Sequence, residues 1–127
     1  MLWDDTYRTG IDELDESNKR LFLHIDALLD ADSKRVCDEI DDFERRAIRH
    51  FEMEQELHDE SLYPSAIYHK MHHESYIASL RRLKDRAKSE GVTLELFKVM
   101  QRNMVDFLRK HITQYDQDFA DYYRSIN

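Results

Sequence analysis

The chain has 127 residues and a formal net charge of −8, with 36% charged and 41% hydrophobic residues. This length suits one domain over residues 1–127, and the acidic balance argues against a nucleic-acid surface, which needs clustered Lys and Arg. No apolar run approaches the roughly 20 residues that a membrane span needs, and the acidic N-terminus lacks a signal-peptide pattern. The lone Cys37 cannot form an intrachain disulfide. We therefore expect a cytoplasmic protein.

Apolar residues recur with helical spacing from the first quarter of the chain onward. We predict a first helix over 13–31, with Asp12 or Asp15 as its cap. Its inward stripe consists of Leu14, Asn18, Leu21, Phe22, Ile25, Leu28 and Leu29. The preceding dozen residues, which contain Trp3 and Tyr7, are expected to form an arm that packs on the helices.

The second helix is predicted over 34–60, with Asp32 or Ser33 as its cap. Its inward stripe consists of Val36, Ile40, Phe43, Ala47, His50, Glu54, Leu57 and His58. Carboxylates avoid burial unless they are paired or bind a metal ion. The position of His50 and Glu54 on an apolar face therefore indicates a polar site inside the protein.

A third helix is predicted over 65–89, with Pro64 in its first turn and Gly91 as its stop. It carries Ile67, His69, Met71, His73, Tyr76, Ile77, Leu80 and Leu83. Thr93 is expected to cap a fourth helix over 94–110, with the inner face Leu96, Val99, Met100, Asn103, Phe107 and Leu108. We expect bundle packing for the methionines Met53, Met71, Met100 and Met104.

The end of the chain is predicted to form a short helix over 113–124. Four longer helices with short loops predict an all-α, up-down-up-down four-helix bundle. His111 and Asp116 would point about 140° apart on one straight α-helix. If both face one centre, the chain must bend or change pitch between them. We therefore predict that the fourth helix ends near His111 and that Asp116 turns inward from a separate turn.

Histidines and acids with ligand spacing occur in three places along the chain. The pairs at spacing i, i+4 share one helix face. The candidate metal ligands are His50, Glu54, His69, His73, His111 and Asp116. These are too many for one four-coordinate zinc site. Nitrogen and oxygen donors without thiolate suit two iron or manganese ions that share carboxylates.

Three motifs in this order resemble those of the bacterial haemerythrins. They are His-x-x-x-Glu at 50–54, His-x-x-x-His at 69–73 and His-x-x-x-x-Asp at 111–116. The resemblance covers nearly the whole chain. It implies a non-haem di-iron centre, Fe2+ or Fe3+ with an oxo or hydroxo bridge, that binds O2 reversibly for oxygen sensing, storage or delivery.

The resemblance also implies a role for each ligand. One iron would be held by His69, His73 and His111. The other would be held by His50, and Glu54 and Asp116 would bridge the two irons.

One family ligand is replaced in this chain. Where the family has a further histidine on the first helix, the sequence has Asn18, which still lies on the apolar stripe. We expect weaker occupancy or altered O2 chemistry at the second iron. His58, one turn beyond Glu54, could compensate as a ligand, could bond a small molecule or water, or could satisfy Asn18. His72 is expected to point away from the site.

Two alternatives to O2 binding stay open. An under-ligated iron could make the protein an enzyme that reduces peroxide, O2 or nitric oxide. A metal-stabilised signalling module is the other alternative, and it would need a protein partner that the sequence does not identify.

Overall fold

The computed structural model of the protein describes residues 3–29 and 35–127. Its α-helices are α1 (Asp12–Leu29), α2 (Val36–Glu60), α3 (Ala66–Glu90), α4 (Leu94–Lys110) and α5 (Gln117–Ile126); a short 3₁₀ turn covers Asp5–Tyr7 and a π-helical segment covers His111–Asp116. The described ranges contain no strand. The predicted all-α bundle is confirmed, and the predicted bounds of α2, α3 and α4 differ from the observed bounds by at most two residues.

The four long helices pack in the order of the chain. Helix α1 contacts α2 and α4, α2 contacts α3, and α3 contacts α4. Short connections between consecutive helices make neighbours antiparallel, so this ring of contacts is the predicted up-down-up-down arrangement. Within the two described ranges, no helix is both long enough and apolar enough to cross a membrane.

The core is formed by the predicted helical stripes. Its largest fully buried side chains include Phe22, Phe43, Phe119, Ile25, Leu96 and Leu108. Burying one such side chain contributes about 1.5–3 kcal/mol relative to leaving it in water. The stripes therefore stabilise the bundle, and they also place the polar stripe residues of α1 and α2 inside it.

The predicted packing of Met71 in the bundle and the predicted inner position of Asn103 were wrong. Ile67 is 73% and Met71 58% exposed, and Asn103 is also exposed. Ile67 and Met71 each lie two residues from His69, about 200° around the helix from it, and His69 faces inward. Asn103 lies at the edge of the buried face of α4, where water can solvate its amide.

Local signals define the ends of α3 and α4. The Thr93 hydroxyl accepts a hydrogen bond from the Leu96 N–H at 3.1 Å, as a helix cap should. Gly91 ends α3 with φ +78°, a left-handed conformation that favours glycine, and its N–H donates to the Ala87 carbonyl. Both predicted signals are confirmed.

The start of α1 is tied to the residues before it. The buried Asp15 carboxylate accepts hydrogen bonds from the Thr9 and Gly10 N–H groups at 2.8 and 3.1 Å. Asp15 therefore anchors the turn that enters the helix. The predicted cap of α2 by Asp32 or Ser33 lies outside the described residues.

The N-terminal arm packs on the bundle as predicted. The rings of Trp3 and Tyr7 lie 6.1 and 5.7 Å from the ring of Phe22 on α1. Gln117 of α5 donates a hydrogen bond to the Arg8 carbonyl at 3.0 Å. The arm therefore joins the first and last helices.

The π-helical segment His111–Asp116 brings its first and last side chains to the same side of the chain. A π-helix bonds residue i to residue i+5, so residues five apart lie close to the same face. His111 and Asp116 are both fully buried. The predicted pitch change and the predicted end of α4 near His111 are confirmed, whereas the predicted separate turn is wrong, because the chain stays helical through the π-helical segment into α5.

Candidate metal centre

Six polar side chains form a buried cluster in the middle of the bundle. None is more than 3% exposed: His50, Glu54, His69, His73, His111 and Asp116. Helices α2 and α3 each supply two of them, and the π-helical segment supplies the other two. In two overlapping sets of four, one donor atom from each residue lies within 4.8 Å of the others. The structure therefore brings together all six predicted residues.

His69, His73 and His111, which we call the three-histidine half, face one common point. The His111 Nε2 atom lies 3.4 Å from the Nε2 atoms of both His69 and His73. Glu54 Oε2 is 2.9 Å from His69 Nε2 and 3.5 Å from His73 Nε2. Asp116 Oδ1 is 3.1 Å from His111 Nε2. Three nitrogens and two oxygens therefore converge in this half.

The remainder of the cluster, which we call the His50 half, consists of His50, Asn18 and the other carboxylate oxygens of Glu54 and Asp116. His50 Nε2 is 2.5 Å from Glu54 Oε1, an oxygen that also lies 3.1 Å from His111 Nε2. Asn18 is fully buried, as its place on the stripe predicts, and its Nδ2 donates a hydrogen bond to Asp116 Oδ2 at 2.9 Å. This half therefore contains one imidazole.

The charges of the cluster favour a cation. Burial alone would lower the pKa of His111, but Asp116 and Glu54 outweigh burial and raise this pKa to about 10. Burial alone would raise the pKa of Glu54, but the charges of His111 and His50 hold it well below its usual value. Without a metal ion, a proton on His111 balances part of the carboxylate charge.

Unpaired atoms provide a test of whether a metal ion fits. His50 Nε2, Glu54 Oε2 and Asp116 Oδ1 are buried and lack a hydrogen-bond partner among the described residues. Each of them lies within 3.1 Å of another polar atom of the cluster but makes no hydrogen bond of good geometry with it. A metal ion would satisfy them together, and donors of nitrogen and oxygen without thiolate suit iron or manganese. The residues present therefore fit a metal centre.

The Nδ1 atoms of two cluster imidazoles have partners that the sequence analysis missed. Ser17 Oγ is 2.5 Å from His50 Nδ1, and His72 Nδ1 is 3.4 Å from His111 Nδ1. The His72 ring is stacked between Phe107 and Tyr115. His72 is in neither set of four, but it contacts a ring that is. Its spacing of i, i+3 from His69 was a signal for this position, whereas Ser17 had none.

His58 lies beside the cluster. Its ring is 4.4 Å from the ring of His69 and 4.4 Å from that of Phe119. It belongs to neither set of four found among the described residues. No hydrogen bond joins it to Asn18, because both its ring nitrogens and Asn18 Oδ1 are unpartnered in the described part of the chain. Ligation by His58 stays a prediction.

Two surface cavities reach opposite sides of the cluster. One of about 590 Å³ is lined by residues of α2 and α3 that include Phe51 and His73. The other, of about 310 Å³, is lined by residues of α1 and α2 that include Ser17 and His50. Each half therefore has a surface cavity whose lining includes one of its histidines.

Comparisons with known proteins point to one family. No family model matches the chain. The chain is 30% identical over 129 residues to a bacteriohemerythrin of Stenotrophomonas maltophilia (strain R551-3), an alignment that spans 95% of this chain and 80% of that protein. It is 27% identical over 126 residues, with the same coverage, to a bacteriohemerythrin of Pseudomonas paraeruginosa (strain DSM 24068 / PA7).

Proposed function

The chain belongs to the bacteriohemerythrin family, and on this premise we propose that it binds O2 reversibly at a pair of non-haem iron ions in the buried cluster. Oxygen sensing, storage or delivery in the cytoplasm is the role that follows. The observation that carries the proposal is the position of Glu54, whose Oε2 faces His69 while its Oε1 faces His50. One carboxylate thus lies between two groups of imidazoles.

These distances support the ligand set that the resemblance to the haemerythrins implies. One iron would be held by His69, His73 and His111, the other would be held by His50, and Glu54 and Asp116 would lie between them. His50 would donate its Nδ1–H to Ser17 Oγ, which leaves Nε2 free to bind metal. His111 would be oriented in the same way through the contact between its Nδ1 and His72.

The bound iron pair would supply reversible electron donation to O2. The chain's own side chains would balance the charge of the ions with two carboxylates and exclude water. Phe51 stacks on the His73 ring at 3.9 Å and is 3% exposed, and Ile112 beside His111 is fully buried. This apolar enclosure would keep water and protons away from the iron pair.

Spectroscopy of the iron-loaded protein tests the proposal. Protein loaded with Fe2+ under argon should gain a visible absorption band in air, lose it when O2 is removed, and regain it over repeated cycles. The Glu54→Gln protein, treated identically, is the control and should show no band. Failure of the iron-loaded wild-type protein to change reversibly with O2 would contradict reversible binding.

A second candidate function is reduction of O2, peroxide or nitric oxide. The observation that favours it is Asn18, since the His50 half has one imidazole and leaves an iron there open to added ligands. The reduced, iron-loaded protein would then consume one of these molecules continuously when supplied with a reductant. Stable uptake and release of O2 without such turnover would exclude this candidate.

A further inference from the structure

The donor atoms are divided unequally between the two halves of the cluster. In the three-histidine half, His111 Nε2 lies 3.4 Å from each of the other two imidazole nitrogens. Because an imidazole nitrogen has one lone pair, His111 can serve only one ion. When an ion in the three-histidine half binds His111, the ligands that remain for an ion in the His50 half are His50 and carboxylate oxygens of Glu54 and Asp116.

Asn18 is oriented by Asp116 so that its amide offers no lone pair to an ion. Asp116 Oδ1 faces His111, and its Oδ2 accepts a hydrogen bond from Asn18 Nδ2. Turning the amide over would set Asn18 Oδ1 against a carboxylate oxygen, so charge fixes the observed orientation. Asn18 therefore turns donor hydrogens, with no lone pair, toward Asp116, and it adds no metal ligand where an imidazole could have added one.

We propose that the two metal positions differ in affinity and that Asn18 is the residue responsible. The three-histidine half binds one ion tightly, and the His50 half binds a second ion weakly and exchangeably. This inference rests on the proposed function, because it assumes that both halves hold iron. It adds that the free iron concentration sets the fraction of chains that contain the pair, so O2 binding at the pair depends on iron supply.

Anaerobic titration of the metal-free protein with Fe2+ tests whether the two positions differ in affinity for iron. Native mass spectrometry gives the number of ions per chain, and competition with a chromogenic chelator gives the two stepwise dissociation constants. Loss of a single supporting contact already weakens metal binding by about 10- to 100-fold. We therefore expect the two constants to differ by about 100-fold or more.

The possible results separate the inference from the proposed function. A one-ion form over a wide range of free Fe2+, followed by a two-ion form, supports the inference. Two equally tight ions overturn it, and they leave reversible O2 binding at an iron pair intact. Absence of bound iron at any concentration overturns both.

Variants at position 18 test the residue itself. Asn18→His supplies an imidazole and should narrow the ratio of the two dissociation constants by about 10-fold or more. Asn18→Leu, of similar branched shape, removes the hydrogen bond to Asp116 without adding a ligand, so the ratio should not narrow. An unchanged ratio in Asn18→His, or an equal narrowing in Asn18→Leu, would overturn the role of Asn18. The wild-type titration decides the inequality even if a variant fails to fold.

Discussion

The three-histidine half and the His50 half differ in how the helices supply imidazoles to them. The first receives two from α3 and one from the π-helical segment, and the second receives one from α2 and an amide from α1. Both halves share Glu54, whose Oε2 faces His69 and whose Oε1 lies between His50 and His111. Because α1 supplies a side chain to the His50 half, a change at position 18 should act first on that half.

Removal of the shared carboxylate should have the largest effect because it affects both halves. We expect Glu54→Gln to weaken iron binding at both positions by more than about 100-fold, since loss of a direct ligand exceeds the effect of losing a supporting contact. Iron per chain after dialysis, measured by atomic emission, checks this. Glu52→Gln, an exposed change on the same helix, should bind iron as wild type does. A Glu54→Gln protein with two ions would show that neither half needs this carboxylate.

Removal of one imidazole should separate the halves. His50→Ala should leave one tightly bound ion, whereas His73→Ala should weaken the tight ion by about 100-fold or more. The ions per chain in native mass spectra at low free Fe2+ distinguish the two proteins. Equal losses in both variants would mean that the halves do not bind ions separately.

Removal of a side chain that contacts an imidazole Nδ1 atom should weaken metal binding less, and in one half of the cluster only. Ser17→Ala should weaken the ion beside His50 by about 10- to 100-fold and leave the tight ion unchanged. Chelator competition measures both constants, and Ser75→Ala, at an exposed position of α3, serves as the control. A weaker tight ion in Ser17→Ala would contradict the assignment of Ser17 to the His50 half.

The smallest expected effect concerns the pH dependence of the metal-free protein. Burial lowers the pKa of His58 to about 4, from 6.5 when unfolded. Between these values the unfolded chain takes up a proton that the folded chain does not, so stability falls as the pH drops from 6.5 toward 4. His58→Met should reduce the loss of unfolding free energy between pH 7 and pH 5 by about 1 kcal/mol. Urea unfolding at both pH values measures this, and an unchanged loss would contradict the prediction.

Much of the fold could be predicted because its signals are local. Thr93 and Gly91 end helices by their own hydrogen bonds and backbone preference, and helical spacing identified most buried positions. Asn103 was misassigned because the edge of a helix face depends on which neighbour packs there. The π-helical segment was predicted only as a change of pitch, because its form depends on the tertiary demand that His111 and Asp116 face one centre.

Four of the clustered side chains could be predicted because a spacing of i, i+4 places His50 with Glu54, and His69 with His73, on one helix face. His111 and Asp116 would point about 140° apart on a straight α-helix, so their place in the site came from the resemblance to the haemerythrins. The partners of the clustered side chains could not be predicted, since the contact between Ser17 and His50 depends on how α1 packs against α2. The hydrogen bond from Asn18 to Asp116 joins residues 98 positions apart. Sequence spacing within one helix contains no information about such contacts.

Diffraction at the iron absorption edge tests most directly whether the two halves hold iron unequally. A crystal of the protein loaded with limiting Fe2+ should show a strong anomalous peak about 2.1 Å from the Nε2 atoms of His69, His73 and His111, and a weak or absent peak beside His50. Additional Fe2+ should strengthen the second peak. Equal peaks at limiting iron would contradict the inequality, and absence of any peak inside the cluster would contradict the metal centre itself.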